Sequence, residues 1–141
     1  PFLERAKYLQ YIKLKLKDFH FGGGQREENL SAQDYADSVA DSKIVLNFPA
    51  HGFGFSQLKG RVVEAMACGS LMLELENDST PTFFEAGKDY VSCSSIDDMI
   101  AKAAYYLNNE EEAEKIALSG YNKYMNNYTG QRYWDLVFEN L

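Results

Sequence analysis

The stretch Lys59–Leu75, KGRVVEAMACGSLMLEL, decides how the rest of the chain is read. A short helix pattern of small and apolar residues, RVVEAMAC, runs through Gly69 into a continuous apolar run, SLMLEL. Glycine enters the left-handed conformation that stops a helix without a steric cost. The spacing therefore predicts a helix, a tight stop and a buried strand. The mouth of the helix is chemically unusual, because Gly60 stands between two cations, Lys59 and Arg61. A helix N-terminus offers unpaired N–H groups and about half a positive charge. Gly60 would let a ligand come close to the backbone, and the two cations suit a pyrophosphate. Glu64 lies three residues after Arg61, on the same side of the helix. An ionised carboxylate only accepts hydrogen bonds, and it can take two from a vicinal diol such as a ribose. The simpler reading is that the dipole alone favours a glutamate near a helix start, by roughly 0.3–1 kcal/mol, with both cations solvated. Neither a GxGxxG nor a Walker lysine motif is present.

Outward from this stretch, strand and helix patterns alternate. PFLERAKYLQYI spaces Leu3, Ala6, Leu9 and Ile12 at helical intervals, and KLKLKDFHF then alternates. This predicts a helix and a strand over about residues 17–21, stopped by Gly22–Gly24. LSAQDYADSVADS reads as a helix capped by Ser31 with Asp34 three residues on, its inner face formed by Tyr35, Ala36 and Val39. KIVLNF is a short apolar run of the kind buried on both faces of a sheet. PAHGFGFSQLKG is a glycine-rich loop, and ENDSTPTFFEAGKDY a polar loop around one helical turn, residues 81–85. YVSC reads as a strand. A Ser95-capped helix follows, with Ile96, Met99, Ile100, Ala103 and Leu107 inward. An acidic-start helix and a Thr129-capped one complete the chain. The last carries a stripe of Tyr133, Leu136, Val137 and Leu141, with Trp134 read as core. Such alternation predicts an α/β fold with a Rossmann-like parallel sheet flanked by helices, plus extra C-terminal helices. Ligands of such sheets bind outside the carboxyl ends of the strands, where the three polar or glycine-rich loops gather.

The chain has 141 residues, 45% hydrophobic and 25% charged, which is one domain's worth with a real core. The net charge of −7 argues against a nucleic-acid partner. Any anion must then be held by local donors. No run approaches the roughly 20 apolar residues that span a bilayer. Cys68 and Cys93 lie in apolar contexts without metal-ligand spacing, and are expected as reduced core thiols of a cytoplasmic protein. No aspartate pair with a metal-binding look appears, so no metal or cofactor is expected. His51, in the loop before the helix, is a candidate phosphate or sugar contact, although a plain loop histidine is the simpler reading. His20 alternates with Phe19 and Phe21 and reads as structural. Opening on Pro1 rather than Met, the chain is expected to be a fragment.

The order LSAQDYADSVADSKIVLNF, GRVVEAMACGSLMLEL and FFEAGKDYVSCSSIDDMIAKAAYYLNNEEEAEKIALSGYNKYMNNYT resembles the C-terminal, donor-binding domain of GT-B glycosyltransferases. It is similar above all to the group 1 branch, including its CgeB-like subgroup, through EAMACG, the strand after it and AGKDYV. The resemblance covers nearly the whole chain. It implies that residues 1–141 are one nucleotide-sugar-binding half of a two-domain enzyme. Its donor would be a nucleoside diphosphate sugar of the UDP or GDP type, and a saccharide or protein acceptor would be reached through an N-terminal domain. In related enzymes two glutamates seven residues apart flank this loop and helix. The second, a ribose ligand, corresponds to Glu64, while the first falls at Ser56. This departure puts a glutamate contact to the donor sugar in doubt. The CgeB-like branch often lacks the first glutamate and carries Arg at the Arg61 position. The implied mechanism needs no metal: the helix N-terminus, Arg61 and Lys59 would stabilise the leaving diphosphate, with Arg61 as the catalytic group. The isolated domain would bind but barely turn over. The competing expectation is a non-catalytic Rossmann-like domain that binds nucleotide or protein partners. A receiver-like signalling domain fits poorly, because KIVLNF ends in Asn47 and Phe48 rather than an aspartate.

Overall fold

Among the described residues, Leu71–Leu75 forms the central strand of a three-stranded parallel sheet, as its apolar run leads one to expect. The computed structural model describes residues 2–17, 19, 30–49 and 57–140. In chain order the elements are α1 (Phe2–Lys15), α2 (Ala32–Ala40), β1 (Ile44–Asn47), α3 (Gly60–Cys68), β2 (Leu71–Leu75), β3 (Val91–Cys93), α4 (Ile96–Asn108), α5 (Glu110–Asn127) and α6 (Gly130–Glu139). The strand order is β1-β2-β3, with Asn47 beside Glu74 and Leu75 beside Cys93 at the carboxyl ends.

The two-residue period of β2 splits its side chains between two cores. Leu71 and Leu73 join Val91, Cys93, Met99, Ala103 and Ile116 on the face covered by α4 and the first half of α5. Met72 turns to the other face, against Val62, Ala65 and Met66 of α3 with Phe84 and Tyr90. At about 1.5 Å per residue, the 18-residue α5 is long enough to serve both cores: Tyr124, two turns past Ala117, packs in the second. Gly120 allows this, since a Cβ there would collide with the carbonyl oxygen of Asp89. The buried Asp89 carboxylate pins the same junction. Its Oδ1 accepts from Ser119 Oγ at 2.7 Å and its Oδ2 from the Glu85 N–H at 2.9 Å.

Local signals set the helix ends. Ser31, Ser95 and Thr129 each accept from the N–H three residues on, satisfying one of the donors that every helix start leaves open. Gly69 stops α3 with φ of 75°. Ser70 Oγ then donates to the Val39 carbonyl, tying the end of α2 to the start of β2.

Several expectations are corrected. The alternation after Ile12 is not a strand onset: α1 continues to Lys15, Lys17 lies in a turn and Phe19 in irregular chain. Lysine and leucine are good helix formers, and Lys13 and Lys15 occupy the last turn, where the dipole favours cations. Asp18, His20, Phe21 and Gly22–Gly24 lie outside the described residues. β1 is an edge strand, half-buried at three of its four positions, because β2 covers only one of its sides among the described residues. The turn expected at residues 81–85 is a single 3-10 turn, Thr80–Thr82. Ala36 and Leu107 face outward, and Tyr106 packs on the core instead of Leu107. Cys93 is buried as expected, but Cys68 is exposed at the end of α3. The stripe of α6 is largely uncovered: Tyr133, Trp134, Leu136 and Phe138 are all exposed. Leu141 lies outside the described residues.

Candidate functional site

The start of α3 follows the carboxyl end of β1, so the helix mouth opens where a parallel sheet places its ligands. Lys59 is the N-cap, in extended backbone, and its side chain makes no capping hydrogen bond. Gly60 is the first helical residue and is exposed. The helix therefore presents its N-terminal amides beside a bare Cα.

A cleft of about 380 Å³ lies at this point, and Lys59, Gly60, Arg61 and Glu64 all line it. Four residues that spacing had connected are thus brought together. His51 and Ser56 lie outside the described residues. The opposite walls come from elements that the sequence reading had not linked to the site. Arg5 reaches in from α1, Tyr35 from α2, and Asn47 and Phe48 from the end of β1.

Packing explains why Arg5 arrives there. Tyr8 stacks on Phe48, with ring centroids 6.1 Å apart and 30° between planes. Ile12, one turn further along α1, is fully buried. Arg5, Tyr8 and Ile12 share one face of the helix, so the stacking and the buried isoleucine aim Arg5 at the cleft. Three cations, Arg5, Lys59 and Arg61, then face a single lining carboxylate, Glu64. Arg5 as a whole residue is exposed. Neighbouring protein atoms nevertheless desolvate it, and with the Arg61 charge they hold it below the usual arginine range. Like charges gathered this way inside a protein of net charge −7 form an anion-attracting spot.

Glu64 is exposed, not turned into the interior. Its Oε2 accepts a 2.6 Å hydrogen bond from the Tyr35 hydroxyl. Its Oε1 lies 3.3 Å from where a Cβ on Gly60 would stand, so the carboxylate is folded over the glycine. Burial, then the hydrogen bond to Glu64, push the Tyr35 hydroxyl above the usual tyrosine range, while Arg61 opposes this. Tyr35, Glu64 and Arg61 therefore form one electrostatic unit.

Beneath the cleft lies a feature that the sequence reading missed. Asn47 Nδ2 donates to Glu74 Oε1 at 2.6 Å. Glu74 is fully buried and its Oε2 has no hydrogen-bond partner among the described residues. Burial, followed by the Glu74 charge, pushes the Tyr90 hydroxyl up to about 12. A lone acid inside the apolar run LMLEL was the available signal for this pair.

Comparison with known proteins follows the same lines. The structure matches the C-terminal domain of a glycosyl transferase group 1 family protein, LpcC, from Francisella tularensis, with a TM-score of 0.68 and 17% identity. The match covers 92% of this chain and 65% of that one, and at this identity it shows a shared fold. The curated proteins yield no match. Among the described residues no helix is long and apolar enough to cross a membrane. The family model described as glycosyl transferase-like matches residues 1–138. With nearly its whole length so matched, this chain belongs to the glycosyl transferase-like family.

Proposed function

We propose that the cleft at the start of α3 binds a nucleoside diphosphate sugar, UDP- or GDP-linked, for transfer of the glycosyl group to an acceptor. The observation that carries this reading is the convergence of Arg5, Lys59 and Arg61 on the amide-rich end of α3, with Glu64 beside them. The diphosphate lies against the N–H groups of the helix start and the three cations. The ribose diol donates to Glu64, which as a carboxylate can only accept. The same cations stabilise the charge that grows on the diphosphate as the glycosyl bond breaks, so they act more strongly on the transition state than on the bound donor. Arg61 is the catalytic group in this reading, because it stands at the second helical position, beside both the amides and Glu64. His51 and Ser56, in the loop before the helix, are proposed as further donor contacts. The saccharide or protein acceptor is supplied by a partner domain.

Isothermal titration calorimetry with UDP and GDP tests the proposal. We expect dissociation constants between about 1 μM and 1 mM for at least one of them. Arg61→Ala or Glu64→Ala should each weaken it about tenfold, the scale of one charged hydrogen bond. The absence of heat with both nucleotides, or wild-type affinity in both variants, would contradict it.

A further inference from the structure

We propose that Tyr35 is a positioning residue for the candidate ribose ligand, holding the Glu64 carboxylate in the orientation that discriminates a nucleotide's 2′-hydroxyl. This inference rests on the donor reading above and adds to it a residue from a different helix. The geometry that carries it is a hydrogen bond to one oxygen and the room that a glycine leaves for the other. The Tyr35 hydroxyl holds Glu64 Oε2 at 2.6 Å, and Oε1 rests over the bare Cα of Gly60. A free glutamate side chain has rotamer entropy to lose on being fixed. Here the Tyr35 hydrogen bond already restrains it before a ligand arrives, over the room left by Gly60, which raises affinity and selectivity without a new contact. The tyrosine hydroxyl uses one acceptor position of the carboxylate, and an ionised carboxylate has about four. Those left over face a cleft that Tyr35 and Glu64 both line.

Tyr35 is itself firmly placed. It sits one turn before Val39, which is buried, on a helix capped by Ser31. The contact joins residues 29 apart in sequence, so it also sets the spacing between α2 and the mouth of α3. The ring is only half-buried, so Tyr35→Phe should retain the fold.

The test compares the tighter-binding of UDP and GDP with its 2′-deoxy form and with inorganic pyrophosphate, by calorimetry on wild type and Tyr35→Phe. Wild type should prefer the ribonucleotide by about tenfold, the scale of one hydrogen bond to a charged acceptor. In Tyr35→Phe this preference should fall to about threefold or less, with a smaller loss of pyrophosphate affinity because Arg61 also contacts the hydroxyl. In a Glu64→Ala background the tyrosine substitution should have no further effect on the preference. An undiminished preference in Tyr35→Phe, or an equal loss of pyrophosphate affinity, would overturn the role of Tyr35 and leave the donor reading intact. If wild type binds neither nucleotide, both fall. Thermal unfolding of each variant separates a positioning loss from a loss of fold.

Discussion

Glu74 sits on the central strand with one oxygen hydrogen-bonded to Asn47 and the other without a hydrogen-bond partner among the described residues. Removing a single partner of a buried polar pair exposes the other to its full desolvation cost, whereas replacing both by apolar groups of similar shape can be nearly neutral. Asn47→Leu should therefore lower stability by about 3 kcal/mol, and the double variant Asn47→Leu with Glu74→Met should recover most of the loss in urea unfolding. A double variant as unstable as the single one would mean that Glu74 contributes through something other than this pair. The residue scale also shows where sequence reading stops. Lys59, Gly60, Arg61 and Glu64 were visible because they lie within six positions of one another at a helix start. Asn47 and Glu74 are brought together by the parallel register, and Arg5 is aimed by the Tyr8–Phe48 stack and the buried Ile12. Neither a register nor a stacking contact between distant segments leaves a periodic signal in the chain.

Among the elements, α4 carries the clearest pH-dependent contribution. Asp98 accepts from Lys102 at 2.7 Å and from the Ser94 N–H at 2.9 Å, and it donates its own N–H to the Ser95 cap. The Lys102 contact, then the Ser94 N–H, hold its carboxyl below the usual aspartate range. A group whose pKa is depressed on folding stabilises the fold above its unfolded value and loses that contribution as the pH falls through its folded value. Asp98→Asn should therefore cost about 1 kcal/mol at pH 7. The gap to wild type should close below the ordinary aspartate value, about 3.9, as measured by urea unfolding across pH. A gap that stays constant down to pH 2 would show that the charge is irrelevant. The three serine or threonine caps and the Gly69 stop were legible in the sequence because each is a local bond within four residues. The α1 boundary was not, because lysine–leucine alternation also fits the end of a helix. The α6 stripe was read as core, yet in the open Tyr133 meets Trp134 edge-on and Trp134 stacks on Phe138. An amphipathic pattern identifies an apolar face and carries no information on whether anything covers it.

Taken as a whole, the molecule is an acidic domain with a small cationic mouth. The excess of carboxylates is spread over features such as the start of α5, where Glu110, Glu111 and Glu112 favour the helix dipole. Arg5, Lys59 and Arg61 are instead collected at one end of the sheet by α1, the loop before α3, and α3 itself. The parallel architecture was legible because alternating strand and helix patterns admit few other layouts. The gathering of the loops at the carboxyl ends of the strands was legible as well, since those loops share one edge of a parallel sheet. The central claim is that this mouth, and no other surface, receives the nucleotide. Titrating UDP and GDP into isotopically labelled protein and following its backbone amides by NMR tests it most directly. We expect the largest shifts at Lys59–Glu64, with smaller ones at Arg5, Tyr35 and Asn47. Shifts confined to other surfaces, such as the aromatic face of α6, or no shifts at millimolar nucleotide, would contradict the account.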